Sequence, residues 1–78
     1  MSNKKKYNES FVEIFSINED LLEGLEYNSI PQWDSVGHMA LMALLEENFE
    51  IMMDMEEIMD FSSYKKGIEI LRGYDIVF

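Results

Sequence analysis

The chain contains no cysteine, a single histidine and a single proline among its 78 residues. Without cysteine there can be no disulfide, no thiolate nucleophile and no cysteine-ligated metal site, and one histidine does not make a histidine-rich metal centre. The longest fully apolar run, Met39 to Leu45, is far shorter than the ~20 residues that cross a bilayer. The basic start of the chain lacks the apolar segment of a signal peptide. We therefore expect one cytoplasmic domain spanning residues 1–78.

Basic residues are also scarce. Six Lys and Arg face sixteen Asp and Glu, which gives a formal net charge of −10. Three of the six basic residues are Lys4, Lys5 and Lys6, so residues 7–78 combine 16 acidic with three basic side chains, a net charge of −13. We expect no nucleic-acid and no membrane partner, because such a surface repels phosphates and anionic lipids and attracts basic proteins instead. A hydrophobic content of 47% argues against disorder.

Helical spacing dominates the apolar pattern, and strand-like alternation is weak throughout. The spacing predicts helices over about residues 5–16, 34–49, 54–60 and 62–71, with a long connection over 17–33. A connection of that length in so small a domain is often functional. The sequence therefore predicts an all-α fold, a small four-helix bundle with three longer helices and a short third one.

Ser35 is the residue that points most directly to a function. It follows a loop containing Pro31 and opens the second predicted helix, where backbone N–H groups lack partners and the helix dipole is positive. A hydroxyl in that position suits an attached phosphate. Asp34 is a good helix cap, and Gly37 is expected to leave room for a bulky group or a docking enzyme. Helix capping alone also explains an Asp-Ser pair, so that interpretation stays open.

The residues around Ser35 resemble the acyl carrier protein family, which includes peptidyl and aminoacyl carriers. The matching residues are Asp34-Ser35-Val36, followed by an apolar helix that ends in Glu46-Glu47-Asn48-Phe49. The helix order, the long first loop, the length and the acidity match as well. In that family a phosphopantetheinyl transferase moves 4′-phosphopantetheine from coenzyme A to the motif serine. The resemblance implies that Ser35 is the attachment site, that Asp34 belongs to the motif, and that the arm supplies the thiol this chain lacks.

The resemblance also implies a discrete, monomeric and non-catalytic carrier that holds an acyl or aminoacyl group as a thioester. Its partners would be the transferase and the enzymes that load or remove the cargo. Carriers of fatty acid biosynthesis often have acidic residues in the first turns of the second helix, where this chain reads Val36-Gly37-His38-Met39-Ala40. That segment is more similar to carriers of specialised pathways, such as secondary metabolite, surface-polysaccharide or aminoacyl-activation systems. The proline often found before the third helix is absent here.

Two sets of residues near the arm are candidates for partner binding. The apolar set is Val36, Met39, Ala40 and Ala43, and the salt-dependent set is Glu46, Glu47, Glu56 and Glu57. Six methionines lie in or between the second and third helices, namely Met39, Met42, Met52, Met53, Met55 and Met59. Because methionine is flexible, they either fill an ordinary core or form one that opens for an acyl chain. Met55, Ile58 and Met59 are expected to face inward.

Three other functions remain open on sequence grounds. An enzyme could use Ser35 with His38, and Asp34 is an adjacent acid, but no glycine-rich oxyanion loop or nucleophile elbow accompanies them. We expect His38 at the surface near the arm. A calcium site over Asn18 to Gly24 has leucines where ligands are needed, so no metal site is expected. A helical interaction module without a prosthetic group, binding basic proteins, is the main alternative.

Overall fold

The computed structural model describes residues 2–78 and, within them, contains four α-helices. These are α1 (Asn3–Phe15), α2 (Ser35–Phe49), α3 (Met55–Asp60) and α4 (Tyr64–Arg72). A single 3₁₀ turn, Glu19–Leu21, lies in the long connection between α1 and α2. Residues 2–78 form no strand, only an isolated bridge between Glu26 and Ser63. The predicted all-α four-helix bundle is confirmed.

Each of the four helices begins at a polar residue that caps its first turn. The side chains of Ser2, Asp34, Asp54 and Ser63 accept hydrogen bonds from the N–H groups of Lys5, Gly37, Glu57 and Lys66. At the start of α3, Glu57 returns a hydrogen bond to the Asp54 N–H, which completes a capping box. These caps are local sequence signals, and they explain why the helix starts could be predicted closely.

Aromatic side chains make up much of the core. Tyr7, Phe11 and Phe15 lie on the buried face of α1. The rings of Phe15 and Trp33 stack with centroids 5.4 Å apart, and Phe11 meets Trp33 edge-on at 5.6 Å. The other buried apolar side chains are Leu22, Leu25, Leu41, Met42, Leu45, Met53, Phe61, Tyr64 and Leu71. The C-terminal segment packs back on this core, since the Phe78 ring lies 5.3 Å from the Tyr7 ring.

The short helix α3 does not face the core as the sequence suggested. Met55 and Met59 are both exposed, and only Ile58 packs against the core. The expectation that all three side chains face inward is therefore wrong. Because successive helix residues are about 100° apart, a six-residue helix that turns Ile58 inward directs Met59 away from the core. Among the helices of residues 2–78, none is long and apolar enough to span a bilayer.

Candidate functional site at the start of α2

Ser35 is the first residue of α2, and its side chain is exposed. The helix is capped by its neighbour: Asp34 Oδ1 accepts from the Gly37 N–H at 2.8 Å, and the Asp34 carbonyl accepts from the His38 N–H at 2.8 Å. The Ser35 hydroxyl is therefore not needed as the cap. The N–H groups of Ser35 and Val36 come before the first intrahelical hydrogen bond, so they add partial positive charge at this end of α2.

The loop leading to Ser35 is anchored by Trp33, whose side chain is fully buried. Its indole ring packs on Phe11 and Phe15 of α1. The adjacent Gln32 donates its side-chain N–H to the Phe15 carbonyl at 3.2 Å. These contacts tie the residues immediately before Ser35 to the end of α1, so the serine projects from a fixed corner.

Gly37 lies against this same loop. A Cβ atom at Gly37 would lie 2.0 Å from the Gln32 carbonyl oxygen and 3.2 Å from Phe15 Cε1. The expectation that Gly37 leaves room for a bulky group or a docking enzyme is therefore wrong, because the loop fills that space. The missing side chain instead lets the loop pass close to the first turn of α2.

His38 points into the structure, which corrects the expectation of a surface residue. Its Nδ1 accepts from the Trp33 indole N–H at 2.9 Å, and its Nε2 lies 2.7 Å from the Ile58 carbonyl oxygen. An indole N–H only donates and a carbonyl only accepts, so these partners select the neutral tautomer with its proton on Nε2. Both ring nitrogens are engaged, and neither is placed to take a proton from Ser35.

The contact of Trp33, His38 and Ile58 was missed by sequence reasoning. A lone tryptophan and a lone histidine five residues apart on either side of Ser35 were the available signal. Nothing in their spacing showed that the two rings would lie edge to edge and nearly coplanar, with an interplanar angle of 16°. The hydrogen bonds among these three residues join the loop, α2 and α3, and they fix the surroundings of Ser35.

The four apolar candidates for partner binding share one exposed face of α2. Val36, Met39, Ala40 and Ala43 follow the i, i+3, i+4, i+7 spacing of a helix stripe, and all are exposed. The stripe begins beside Ser35, while Leu41 and Leu45 on the other side of α2 are buried. The helix is thus apolar both toward the core and toward solvent. An apolar stripe that faces solvent is typical of a binding surface.

The four candidate glutamates fall into two pairs. Glu47 and Glu56 are exposed. Glu46 accepts from the Met53 N–H at 2.9 Å, and Glu57 accepts from the Asp54 N–H at 3.2 Å and from the Tyr74 hydroxyl. Glu46 and Glu57 therefore hold the segment between α2 and α3, and Glu57 also holds the turn after α4. Glu47 and Glu56 are therefore the members of the set that are better placed to meet a partner.

The methionines do not form one internal cluster. Met42 and Met53 are buried, whereas Met39, Met52, Met55 and Met59 are exposed. Only the two buried side chains could contribute to a core that opens for an acyl chain. The exposed four require a different explanation.

The segment considered for calcium binding contains the 3₁₀ turn Glu19–Leu21, whose residues are exposed. Across residues 2–78, no three or more His, Asp or Glu side chains are grouped as they would be to hold a metal ion. In comparisons with known proteins, no protein-family model matches this chain and no curated protein matches it.

Proposed function

We propose that this protein is a discrete acyl or aminoacyl carrier whose 4′-phosphopantetheine arm is attached to Ser35. The observation that supports this most is an exposed serine at the first position of a 15-residue helix that another residue already caps. When bound, the arm supplies a thiol on which the cargo is held as a thioester. The protein itself provides an attachment point and a surface that enzymes recognise.

The residues around Ser35 fit a phosphate ester. The start of α2 offers the unpaired N–H groups of Ser35 and Val36 together with the positive end of the helix dipole, and both favour phosphate. The carboxylate of Asp34 would repel phosphate if it faced the serine, but its Oδ1 is held by the Gly37 N–H at 2.8 Å. That hydrogen bond partly offsets the Asp34 charge, and the N–H groups of Ser35 and Val36 remain for a phosphate.

The anchoring of the loop supports the same proposal. A tether raises the effective concentration of its cargo at a partner only if its attachment point and the partner's docking site lie at a suitable separation. Trp33 and His38 fix the start of α2, where Ser35 lies, against α1 and α3. The apolar stripe starts one residue after Ser35. An enzyme docked on Val36 and Met39 would meet the arm at its base. We infer that these residues, with Glu47 and Glu56 at the margin, are the partner-binding surface.

A helical interaction module without the arm is the second candidate function. It is favoured by the exposed stripe of Val36, Met39, Ala40 and Ala43, because such a stripe can bind a protein partner whether or not Ser35 is modified. It differs from the carrier in one respect: Ser35→Ala would leave partner binding unchanged.

Intact-protein mass after incubation with coenzyme A, Mg²⁺ and a broad-specificity phosphopantetheinyl transferase tests the carrier. We expect one phosphopantetheine to be added to the wild type and none to Ser35→Ala. Ser62→Ala is the matched control, since Ser62 is also exposed, and it should be modified like the wild type. If folded, unmodified wild type gains no mass, the carrier proposal is overturned and the interaction module takes its place.

A further inference from the structure

Four methionine side chains are exposed to solvent on or next to α2 and α3. Their exposed fractions are 50% for Met39, 85% for Met52, 65% for Met55 and 75% for Met59. Apolar area in water is unfavourable by roughly 25 cal/mol per Å², and charged residues are the usual occupants of such positions. The core does not use these four side chains, so their function concerns the surface.

Three of the four are residues of α2 or α3, the helices that the His38–Ile58 hydrogen bond joins. The His38 ring meets the Ile58 carbonyl at 2.7 Å, and Met39 and Met59 directly follow these two residues in sequence. Met55 is one helical turn before Met59, so both side chains lie on the same face of α3. We call Met39, Met55 and Met59 the methionine surface. Met39 also belongs to the apolar stripe that begins beside Ser35.

Charge indicates what kind of partner fits this surface. The chain has no Lys or Arg between Lys6 and Lys65, so α2 and α3 contain no basic residue. Exposed carboxylates lie on the same two helices, at Glu47 of α2 and at Glu56 and Asp60 of α3. A complementary partner has an apolar hollow surrounded by basic residues. Methionine is flexible and polarisable, and it suits a surface that must fit more than one such partner.

We propose that the methionine surface docks the basic enzymes that act at Ser35, and that its oxidation to methionine sulfoxide releases them. This inference rests on the proposed carrier function and adds how the carrier is recognised and regulated. The main docking contacts are assigned to the apolar thioethers. Glu46 and Glu57 are not part of this docking surface, because their carboxylates accept hydrogen bonds within the protein.

The oxidation requires an oxidant such as hydrogen peroxide. One peroxide oxygen is transferred to the thioether sulfur, the O–O bond breaks and water is formed, so the sulfur loses two electrons and peroxide gains them. The product is a polar sulfoxide in place of an apolar side chain, and methionine sulfoxide reductases reverse it. Met42 and Met53, exposed by only 1% and 4%, should react slowly. The chain therefore contains its own internal reference for selective oxidation.

The test combines peptide mass mapping with the kinetics of phosphopantetheine transfer. The protein is treated with hydrogen peroxide, the peroxide is removed with catalase, and transfer to Ser35 is then measured. We expect the four exposed methionines to be oxidised before Met42 and Met53. The KM for the carrier should rise about tenfold, equivalent to ~1.4 kcal/mol of binding, with kcat and the circular dichroism spectrum little changed.

Two variants separate docking from general damage. The triple variant Met39→Leu, Met55→Leu, Met59→Leu has an apolar surface that peroxide cannot oxidise. Its KM after treatment should therefore equal the KM of the same variant before treatment. Met52→Leu is the control: Met52 is the most exposed of the four, yet it lies before α3, where its carbonyl accepts from the Tyr74 hydroxyl at 3.0 Å. This control should remain sensitive to peroxide, like the wild type.

The two levels of the proposal fail differently. If unoxidised protein accepts no phosphopantetheine, the carrier function is overturned and this inference with it. If unoxidised and oxidised wild type are modified with the same KM, the docking inference alone is overturned and Ser35 remains the attachment site. Loss of transfer in the peroxide-treated triple variant, as in the wild type, would also overturn it.

Discussion

At the residue scale, the position of Ser35 depends on two neighbouring side chains, those of Trp33 and His38. Trp33 is buried, and its indole N–H donates a hydrogen bond to His38 Nδ1 at 2.9 Å. Without His38 this N–H would have no partner in the core. A buried donor left without a partner costs ~1–3 kcal/mol. The ring of His38 is held in turn by the Ile58 carbonyl. The serine is thus placed by packing and hydrogen bonds on either side of it in the sequence.

Tyr74 should make the stability of the protein fall at alkaline pH. Its hydroxyl donates toward the Glu57 carboxylate and the Met52 carbonyl. The hydrogen bond with Glu57, and then desolvation, raise the pKa of Tyr74 from 10.0 to about 12. Unfolded Tyr74 loses its proton near pH 10 while the folded residue keeps it, so the stabilisation is complete below pH 10 and is lost as pH rises to about 12.

Tyr74→Phe should therefore flatten the decrease in melting temperature between about pH 9 and 12. Part of the decrease should remain, because burial also raises the pKa values of Tyr7 and Tyr64. Thermal unfolding of both proteins across this range measures the difference. Parallel curves for the wild type and the variant would show that Tyr74 is not the group responsible.

At the element scale, the two ends of α2 differ in how well they suit a helix. The first turn is capped by Asp34 and contains no acidic side chain. The last turn carries Glu46 and Glu47, and Glu50 follows as the C-cap with φ of 54°. Carboxylates near a helix C-terminus are unfavourable for the dipole. The unfavourable position of Glu46 has a structural explanation, since its carboxylate accepts a hydrogen bond from the Met53 N–H.

Glu50→Gly should stabilise the protein by about 0.5–1 kcal/mol. The left-handed conformation costs a residue with a side chain ~1–2 kcal/mol, the greater freedom of unfolded glycine offsets part of that gain, and one unfavourable charge is removed. Ser16→Gly is the matched control, because Ser16 ends α1 with the same φ of 54° and has no charge. Both melting temperatures should rise, that of Glu50→Gly further. A lower value for Glu50→Gly would reveal a stabilising contact of its carboxylate.

At the scale of the whole molecule, charge is distributed unevenly. All six basic residues lie on α1 and α4, at Lys4, Lys5, Lys6, Lys65, Lys66 and Arg72. The segment of 58 residues between Lys6 and Lys65 has none, although it contains α2, α3 and Ser35. With a net charge of −10 and a radius of gyration of 11.3 Å, the carboxylates repel each other across a small volume.

The melting temperature should therefore rise with salt, by a few degrees between about 10 and 500 mM NaCl, because screening weakens the repulsion. The double variant Glu47→Gln, Glu56→Gln should depend less on salt, since both side chains are exposed on the acidic side. Differential scanning calorimetry provides the values. A melting temperature that falls with added salt would mean that attractive ion pairs outweigh the repulsion.

Much of the candidate site could be predicted from local patterns. An Asp-Ser pair after a loop and before an apolar run marks the start of a helix, and Asp34 indeed caps α2 with Ser35 next to it. The apolar stripe of α2 follows from helical spacing in the same way. The inward turn of His38 could not be predicted, because it depends on Ile58, which approaches from another part of the chain. The close contact of Gly37 with Gln32 is local, but the loop is held there by Phe15 of α1, which the local pattern does not show.

The sequence by itself determined the helices and the buried face of α1, since caps, helical spacing and aromatic residues such as Tyr7, Phe11 and Phe15 act over a few residues. Only the tertiary structure decided which side of α3 faces solvent. The Ile58 side chain packs against the core and the His38 ring contacts the Ile58 carbonyl, while Met55 and Met59 are exposed. A six-residue helix has too few positions for its own pattern to set its orientation, so the packing around it does.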